Sequence, residues 1–186
     1  MESKQEILTR VHEYLKKFPE EKTRVSTILD FIQNHQNEDL ISRKNFVGHL
    51  TASAFIVDET YHSILLLKHK SLNRWLQPGG HIDDTDPSLI SAAMREAIEE
   101  TGLTKESLTL VSNEIFDIDS HAIPANPRKQ EPSHLHHDIR FLFKCTNTNS
   151  VNFSCDESTD SRWVPFAELK DEADFRWVKE KITLLT

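Results

Sequence analysis

Three glutamates near the middle of the chain have the spacing of a divalent-metal site. Glu96, Glu99 and Glu100 recur at i, i+3 and i+4, which places their carboxylates along one side of a helix. Like charges at this spacing destabilise a helix by roughly 0.2–0.5 kcal/mol per pair, and Arg95 can balance only one of them. Carboxylate oxygens are the ligands that Mg²⁺ and Mn²⁺ prefer, although such glutamates alone are usually a solvated face, and only together with the surrounding motif do they favour metal-assisted chemistry.

A glycine-containing turn precedes these glutamates. The chain has four glycines, and three of them, Gly79, Gly80 and Gly102, lie at the ends of one segment. Glycine lets the backbone approach a ligand closely, so the turn predicted at Pro78-Gly79-Gly80 can aim a carbonyl at a metal ion. Gly102 stands where a helix carrying the glutamates would end in the left-handed conformation.

The helix between these glycines is predicted over residues 87–101. Asp86 can cap its N-terminus, and Pro87 suits the first helical turn. The apolar side chains form one broad arc on a helical wheel: Leu89, Ile90, Ala93, Met94, Ala97 and Ile98. Because that arc must be buried, we expect the helix to pack on a sheet with its glutamates beside the buried face.

The segment from Gly80 to Leu103 resembles the Nudix box, in which a glycine and an acidic residue precede Arg-Glu-x-x-Glu-Glu-x-Gly. The distance from Gly80 to Arg95 is one residue longer than in the usual pattern, and Asp86 replaces the usual glutamate. The aliphatic position after Arg-Glu is a small Ala97. The first two departures precede the glutamate cluster, so they bear on the geometry of the loop more than on the metal site.

The resemblance implies a Nudix-type pyrophosphohydrolase, which cleaves a phosphoanhydride bond of a nucleotide-like substrate by attack of water on phosphorus. It implies that Glu96, Glu99 and Glu100 bind Mg²⁺ (or Mn²⁺), with the Gly79 carbonyl as a further ligand. Arg95 matches the box arginine that orients a glutamate. Glu96 or Glu100 would act as the catalytic base, and the sequence does not decide between them.

Glu157 is a further candidate metal ligand. Some Nudix members add an acidic residue six positions before a tryptophan, and Glu157 stands six before Trp163, with Asp156 beside it. A solvated acidic loop explains the same residues equally well.

One predicted strand carries a polar stripe. Alternation puts His136, Asp138 and Arg140 on one side of it, where they are candidate substrate-binding residues expected to line a cleft over the box helix. They could contact a base, a phosphate or another metal, and His81 could join them. The alternative is an ordinary solvent-facing strand. Arg128, in the long loop before this strand, is a candidate source of positive charge for the substrate.

The order of predicted elements indicates a mixed α/β domain. Residues 1–45 are predicted to form a helical N-terminal extension, and residues 46–186 to form the Nudix domain. The resemblance implies an α/β/α sandwich with a mixed sheet. Strands are predicted at residues 50–58, 63–69, 108–118, 134–144 and around Trp163, and a last helix at residues 173–184.

The composition of the chain indicates which kinds of partner it can bind. The chain has 186 residues and a net charge of −8 without a basic stripe, so we expect no nucleic-acid partner. No run approaches the ~20 apolar residues that span a bilayer, and the N-terminus lacks the apolar run of a signal peptide. The two cysteines fit no zinc or disulfide pattern. We expect a cytoplasmic protein that acts on a small nucleotide-like diphosphate.

Three questions stay open at this stage. A non-catalytic Nudix-fold nucleotide-binding or regulatory module is an alternative, although such modules tend to lose the box glutamates that this chain keeps. An isomerase of isoprenoid diphosphates lacks a supporting cysteine pattern. The substrate is open among nucleoside triphosphates, nucleotide sugars and ADP-ribose. Residues 1–45 could cap the cleft, form the contact of a homodimer or stabilise the fold.

Overall fold

The computed structural model describes residues 1–127, 130–169 and 173–184. Within these ranges four α-helices pack around an eight-stranded sheet. No helix in the described ranges is long and apolar enough to cross a membrane. The elements are α1 Lys4–Lys17, α2 Lys22–Asn34, β1 Gly48–Asp58, β2 Ser63–His69, β3 Trp75–Leu76, β4 Gly79–His81, α3 Leu89–Thr101, β5 Leu108–Leu110, β6 Asp117–Ile123, β7 His134–Cys145, β8 Ser158–Pro165 and α4 Ala173–Thr183.

Strands β1 and β7 form the centre of a mixed sheet. They pair in parallel from Gly48↔Leu135 to Asp58↔Cys145, whereas the other strand pairs are antiparallel. The strand order is β3-β2-β1-β7-β5, with β4 also paired to β1, β6 to β7 and β8 to β2. A parallel pair requires a crossover connection, and α3 lies within that connection. The expected mixed sheet is confirmed.

The two faces of the sheet pack against different helices. Neighbouring residues of a strand point to opposite faces, so Ala52 and Ala54 of β1 pack in the same core as Ala93 and Ala97 of α3. The small alanines let the helix lie close to the sheet. The opposite face shares a second core with α4, formed by Phe55, Val57, Leu142, Phe175, Val178 and Ile182 among others. This arrangement confirms the α/β/α sandwich.

Helices α1 and α2 belong to the same core as α3. Helix α1 begins with a capping box, in which Ser3 Oγ accepts from the Glu6 N–H at 3.3 Å and the Glu6 carboxylate accepts from the Ser3 N–H at 2.7 Å. Phe31 of α2 stacks on His137 of β7 with ring centroids 4.5 Å apart. The helices predicted within residues 1–45 are present, and the domain boundary at residue 45 stays a prediction.

Helix α3 begins two residues later than the predicted range of 87–101. Ser88 caps it by accepting from the Ser91 N–H at 3.1 Å. Asp86, the expected cap, instead binds Arg95 at 2.8 Å. The predicted C-terminus is confirmed, because the residue after the helix adopts the left-handed conformation at φ 67°.

The strand predicted over residues 108–118 is divided into β5 and β6. The Val111 N–H donates to the Leu142 carbonyl at 2.9 Å, and the Phe116 N–H donates to the Arg140 carbonyl at 3.0 Å. The chain therefore stays attached to β7 on both sides of a segment that leaves the sheet. Alternation alone does not reveal such an interruption.

Candidate active site

Arg95 ties the glutamate-bearing helix to the loop before it. Its Nη1 donates to Glu96 at 2.9 Å and to Glu99 at 3.2 Å. Its Nη2 donates to Asp86 at 2.8 Å and to the His81 carbonyl at 2.9 Å. The replacement of the usual box glutamate by Asp86 is therefore accommodated by a direct bond to the arginine. Glu96 is held by this bonding in one orientation.

The glycines of β4 bring the backbone against the glutamates. The sequence predicted a turn here, but Gly79–His81 pairs with β1 as a short strand. A Cβ on Gly80 would lie 2.8 Å from the Glu96 carboxylate, so a larger residue would displace that glutamate. The Gly79 N–H donates to Glu100 Oε2 at 3.3 Å. The first contact explains the need for a glycine at position 80, and at position 79 a Cβ would lie 2.1 Å from Ser53 Oγ.

The carboxylates of Glu96 and Glu100 have too little positive charge near them to balance their own negative charge. Burial and, after it, the charge of Glu96 raise the pKa of Glu100 to about 8, against the Gly79 backbone N–H, which lowers it. Glu157 and Glu99 add smaller repulsions. Burial also raises the pKa of Glu96, although Arg95 lowers it. Perturbation of this kind is typical of functional sites.

This donor set fits a divalent cation that prefers oxygen ligands. Glu157 lies near enough to the cluster for its charge to raise the pKa of both Glu96 and Glu100. Its carbonyl accepts from the Lys70 N–H at 2.8 Å, which anchors the turn before β8. A divalent cation favours the ionised form of every carboxylate near it and would offset these raised pKa values. The residues present therefore fit Mg²⁺ or Mn²⁺.

A second polar surface lies on the sheet face opposite α3. Asp138 of β7 accepts from Ser53 Oγ at 2.8 Å, from Thr51 Oγ1 at 3.1 Å and from Gln77 Nε2 at 3.3 Å. The sequence predicts that this stripe lies over the helix that carries the glutamates. In the structure the side of β7 that faces this helix instead carries apolar residues such as Ile139. Gln77 lies two residues before the first residue of β4, Gly79. The polar stripe is therefore next to the carboxylate cluster, and Gly79 and Gly80 lie between the two.

Arg140 lies inside this second surface, and carboxylates surround it. Its Nε donates to Asp138 at 2.8 Å, Nη1 to Asp117 at 3.0 Å and Nη2 to Asp119 at 3.2 Å. Only 4% of its side chain is exposed. Arg140 therefore orients Asp138, and a direct contact between Arg140 and substrate stays a prediction. Arg128, the other predicted cationic contact, lies outside the described residues.

His49 also belongs to this surface, although the sequence does not predict it. The parallel register places it beside His136, with ring centroids 4.6 Å apart. The ring of His81 lies 5.1 Å from that of His49 and 5.2 Å from that of His136. No local pattern identifies His49, because only the pairing of two distant strands brings it to the others.

The chain is similar to known proteins both in sequence and in fold. The NUDIX domain family model matches residues 47–185. A probable DHNTP pyrophosphohydrolase of Lactococcus lactis subsp. cremoris is 30% identical over 108 residues, which cover 58% of this chain and 61% of the relative. The match therefore spans less than two thirds of the length of that relative.

Solved structures show the same architecture. A NUDIX family hydrolase from Clostridium perfringens has 26% identity and a TM-score of 0.54, over 74% of this chain and 98% of that one. The dihydroneopterin triphosphate pyrophosphohydrolase of E. coli has 18% identity and a TM-score of 0.56, over 74% of this chain and 96% of that one. At 18% identity the second likeness concerns the fold alone.

Proposed function

The chain belongs to the Nudix family, and we propose that it is a metal-dependent pyrophosphohydrolase acting on a phosphoanhydride bond of a nucleotide-like substrate. One observation carries the proposal: Glu96 and Glu100 are half-buried one helical turn apart with raised pKa values, and the nearby Arg95 bonds to Glu96. Stability alone would favour a nearby cation for each of these two negative charges. A non-catalytic module has no use for them.

The chain's own residues supply positioning and proton transfer. Arg95 holds Glu96 in place, so Glu100 is the proposed base that takes the proton of the attacking water. Glu96, Glu99, Glu100 and Glu157, with the Gly79 carbonyl, would hold Mg²⁺ or Mn²⁺. When bound, such an ion neutralises phosphate charge and lowers the pKa of water.

We propose a triphosphate with a nitrogen heterocycle as the substrate, with dihydroneopterin triphosphate as its first representative. The name of the Lactococcus relative supports this choice. The stripe with Asp138 and His136 would face the heterocycle and sugar, since it adjoins β4, while the carboxylate cluster acts on the phosphates. A cytoplasmic location, the absence of a nucleic-acid partner and a homodimer remain predictions.

The test is a product analysis with matched variants. The full chain is incubated with Mg²⁺ or Mn²⁺ and dihydroneopterin triphosphate, nucleoside triphosphates, nucleotide sugars or ADP-ribose, and products are separated by chromatography. We expect metal-dependent release of pyrophosphate from a triphosphate. Glu99→Gln/Glu100→Gln should lose it, and Glu114→Gln, at an exposed position, should keep it. Binding of these compounds without cleavage of any would instead identify a binding module.

A further inference from the structure

Five histidines gather where β1, β4, β6 and β7 meet. They are His49, His81, His121, His134 and His136. The register sets His136 beside both His49 and His121. The rings of His49 and His134 stack with centroids 5.0 Å apart. Such a concentration on one sheet face is not required by the phosphoanhydride chemistry, which the carboxylates can perform.

Three of these rings converge on one point. One ring nitrogen each of His49, His81 and His136 lies within 4.8 Å of the other two. Zinc binds imidazole nitrogen at about 2.0–2.1 Å, so two nitrogens on one tetrahedral ion lie about 3.3 Å apart. Rotations of the side chains that shorten the separations by up to about 1.5 Å would bring all three onto one ion.

His49 provides independent evidence of a missing ligand. It is 1% exposed, and neither of its ring nitrogens has a hydrogen bond of normal geometry. The Asn45 backbone raises the pKa of the ring without reaching that geometry. A buried polar group without a partner costs about 1–3 kcal/mol, so the position needs an explanation. A bound metal ion would satisfy one of these nitrogens.

The protonation state of the rings favours a cation over an anion. Burial and, after it, the neighbouring imidazoles lower the pKa of His136 to about 2. Burial also lowers the pKa of His49. Neutral imidazoles offer lone pairs to a metal without first losing a proton. They offer a phosphate little positive charge, so an anion site does not account for the cluster.

His134 is placed to complete the coordination. Its Nδ1 lies 2.9 Å from the Pro132 carbonyl, which fixes the proton on Nδ1 and leaves the lone pair on Nε2. That Nε2 accepts a hydrogen bond from Nε2 of His136 at 3.3 Å, which a metal ion bound between the two nitrogens would replace. This is the separation expected for two ligands of one tetrahedral ion, at about 3.3 Å. A backbone carbonyl that holds the second ring nitrogen is a common support for a metal-binding histidine.

We propose that His49, His81 and His136, completed by His134, bind one divalent transition-metal ion, with Zn²⁺ as the representative. All-imidazole ligands suit Zn²⁺, whereas the carboxylate cluster suits Mg²⁺. The two sites would be joined through β4, where the His81 carbonyl accepts from Arg95. The proposal does not depend on the hydrolase activity, because zinc binding is measured directly and none of its ligands belongs to the carboxylate cluster, although His136 is also part of the stripe proposed to face the heterocycle.

The experiment measures zinc binding while Mg²⁺ is in excess. The full-length protein is freed of metal, saturated with Mg²⁺ and titrated with Zn²⁺ by calorimetry, and Co²⁺ is used for an absorption spectrum of its coordination. We expect one equivalent of Zn²⁺ and a tetrahedral Co²⁺ spectrum. His136→Gln should weaken binding by at least about 100-fold. His62→Gln should not change it, because His62 is exposed and lies beside Thr60, outside the cluster.

Two further variants keep the test decisive. His81→Gln replaces a half-buried ring and should weaken zinc binding by a similar factor even where His136→Gln destabilises the fold, which circular dichroism would reveal. Glu99→Gln/Glu100→Gln should retain the zinc equivalent. The proposal is overturned if the wild-type protein takes up no zinc in excess Mg²⁺. It is also overturned if both histidine variants bind normally, or if the loss of the glutamates abolishes the zinc equivalent.

Discussion

Asp117 is a buried carboxylate and Glu100 a half-buried one, and their surroundings differ in charge. Asp117 lies 2.7 Å from Lys181, 2.8 Å from Arg24 and 3.0 Å from Arg140. Burial alone would raise the pKa of Asp117, but these three cations lower it. The charge of this carboxylate is therefore already balanced by the folded chain.

Glu100 has no such balance. Its carboxylate accepts a hydrogen bond from the backbone N–H of Gly79, and the neighbouring Arg95 binds Glu96 and Glu99 instead. Burial raises its pKa to about 8. A balanced buried carboxylate belongs to the scaffold, whereas an unbalanced one marks a place prepared for a ligand of opposite charge.

The strongest test of this contrast is Glu100→Gln. We expect kcat/KM to fall about 1000-fold, or ~4 kcal/mol, because the proposed base is removed. The metal-free variant should melt at the same temperature as the wild type or higher, since an unbalanced charge is lost. Steady-state kinetics and thermal melting in chelator measure the two effects. A variant that is less stable but fully active would reverse the assignment.

Lys181→Met tests the balanced region. Lys181 is 5% exposed and pairs with Asp117 and Glu21, so its removal should cost about 3 kcal/mol in the free energy of unfolding. Urea denaturation gives the value. Lys17→Met is the matched control, since its exposed pair with Glu114 should contribute less than about 1 kcal/mol. Equal stability of the two variants would contradict the contrast.

Arg95→Lys sharpens the comparison within the active site. A lysine keeps the charge but cannot bind Glu96, Glu99, Asp86 and the His81 carbonyl at once. We expect a loss of about 10- to 100-fold in kcat/KM, similar to the loss of a group that orients metal ligands. The apparent affinity for Mg²⁺, measured from the dependence of rate on Mg²⁺, should weaken in parallel. An unchanged affinity would assign Arg95 to stability alone.

The smallest expected effect is a pH-dependent stabilisation by Mg²⁺. The pKa of Glu100 is about 8 in the folded chain against an ordinary 4.5, so the metal-free fold loses stability as pH rises through this range. Mg²⁺ favours the ionised carboxylate and should raise Tm at least about 2 °C more at pH 8 than at pH 6. Glu100→Gln should abolish that difference. An equal rise in Tm at both pH values would argue against Glu100 as the titrating group.

The parts of the site that the sequence predicted are those encoded by local spacing. Glu96, Glu99 and Glu100 follow from helical periodicity, and the end of their helix follows from Gly102. The contact of Asp86 with Arg95 was not foreseen, because Asp86 also had the features of a helix cap.

The parts that could not be predicted depend on strand pairing. His49 meets His136 only because β1 and β7 pair in parallel, and neither segment shows this by itself. The strand status of Gly79–His81 likewise requires a partner strand. Alternation correctly divided the residues of β7 between two faces, but it could not say which face would receive the helix.

The network around Asp117 also constrains the order of events during synthesis. Lys181 of α4 binds Asp117 and Glu21 and donates to Tyr14 of α1. A ribosome that adds roughly 5–20 residues per second releases α1 on the order of ten seconds before α4. During that time Glu21 and Tyr14 have been synthesised, but Lys181, which contacts both of them in the folded protein, has not. The nascent chain can close this junction only after α4 has been synthesised, which is after all eight strands of the sheet.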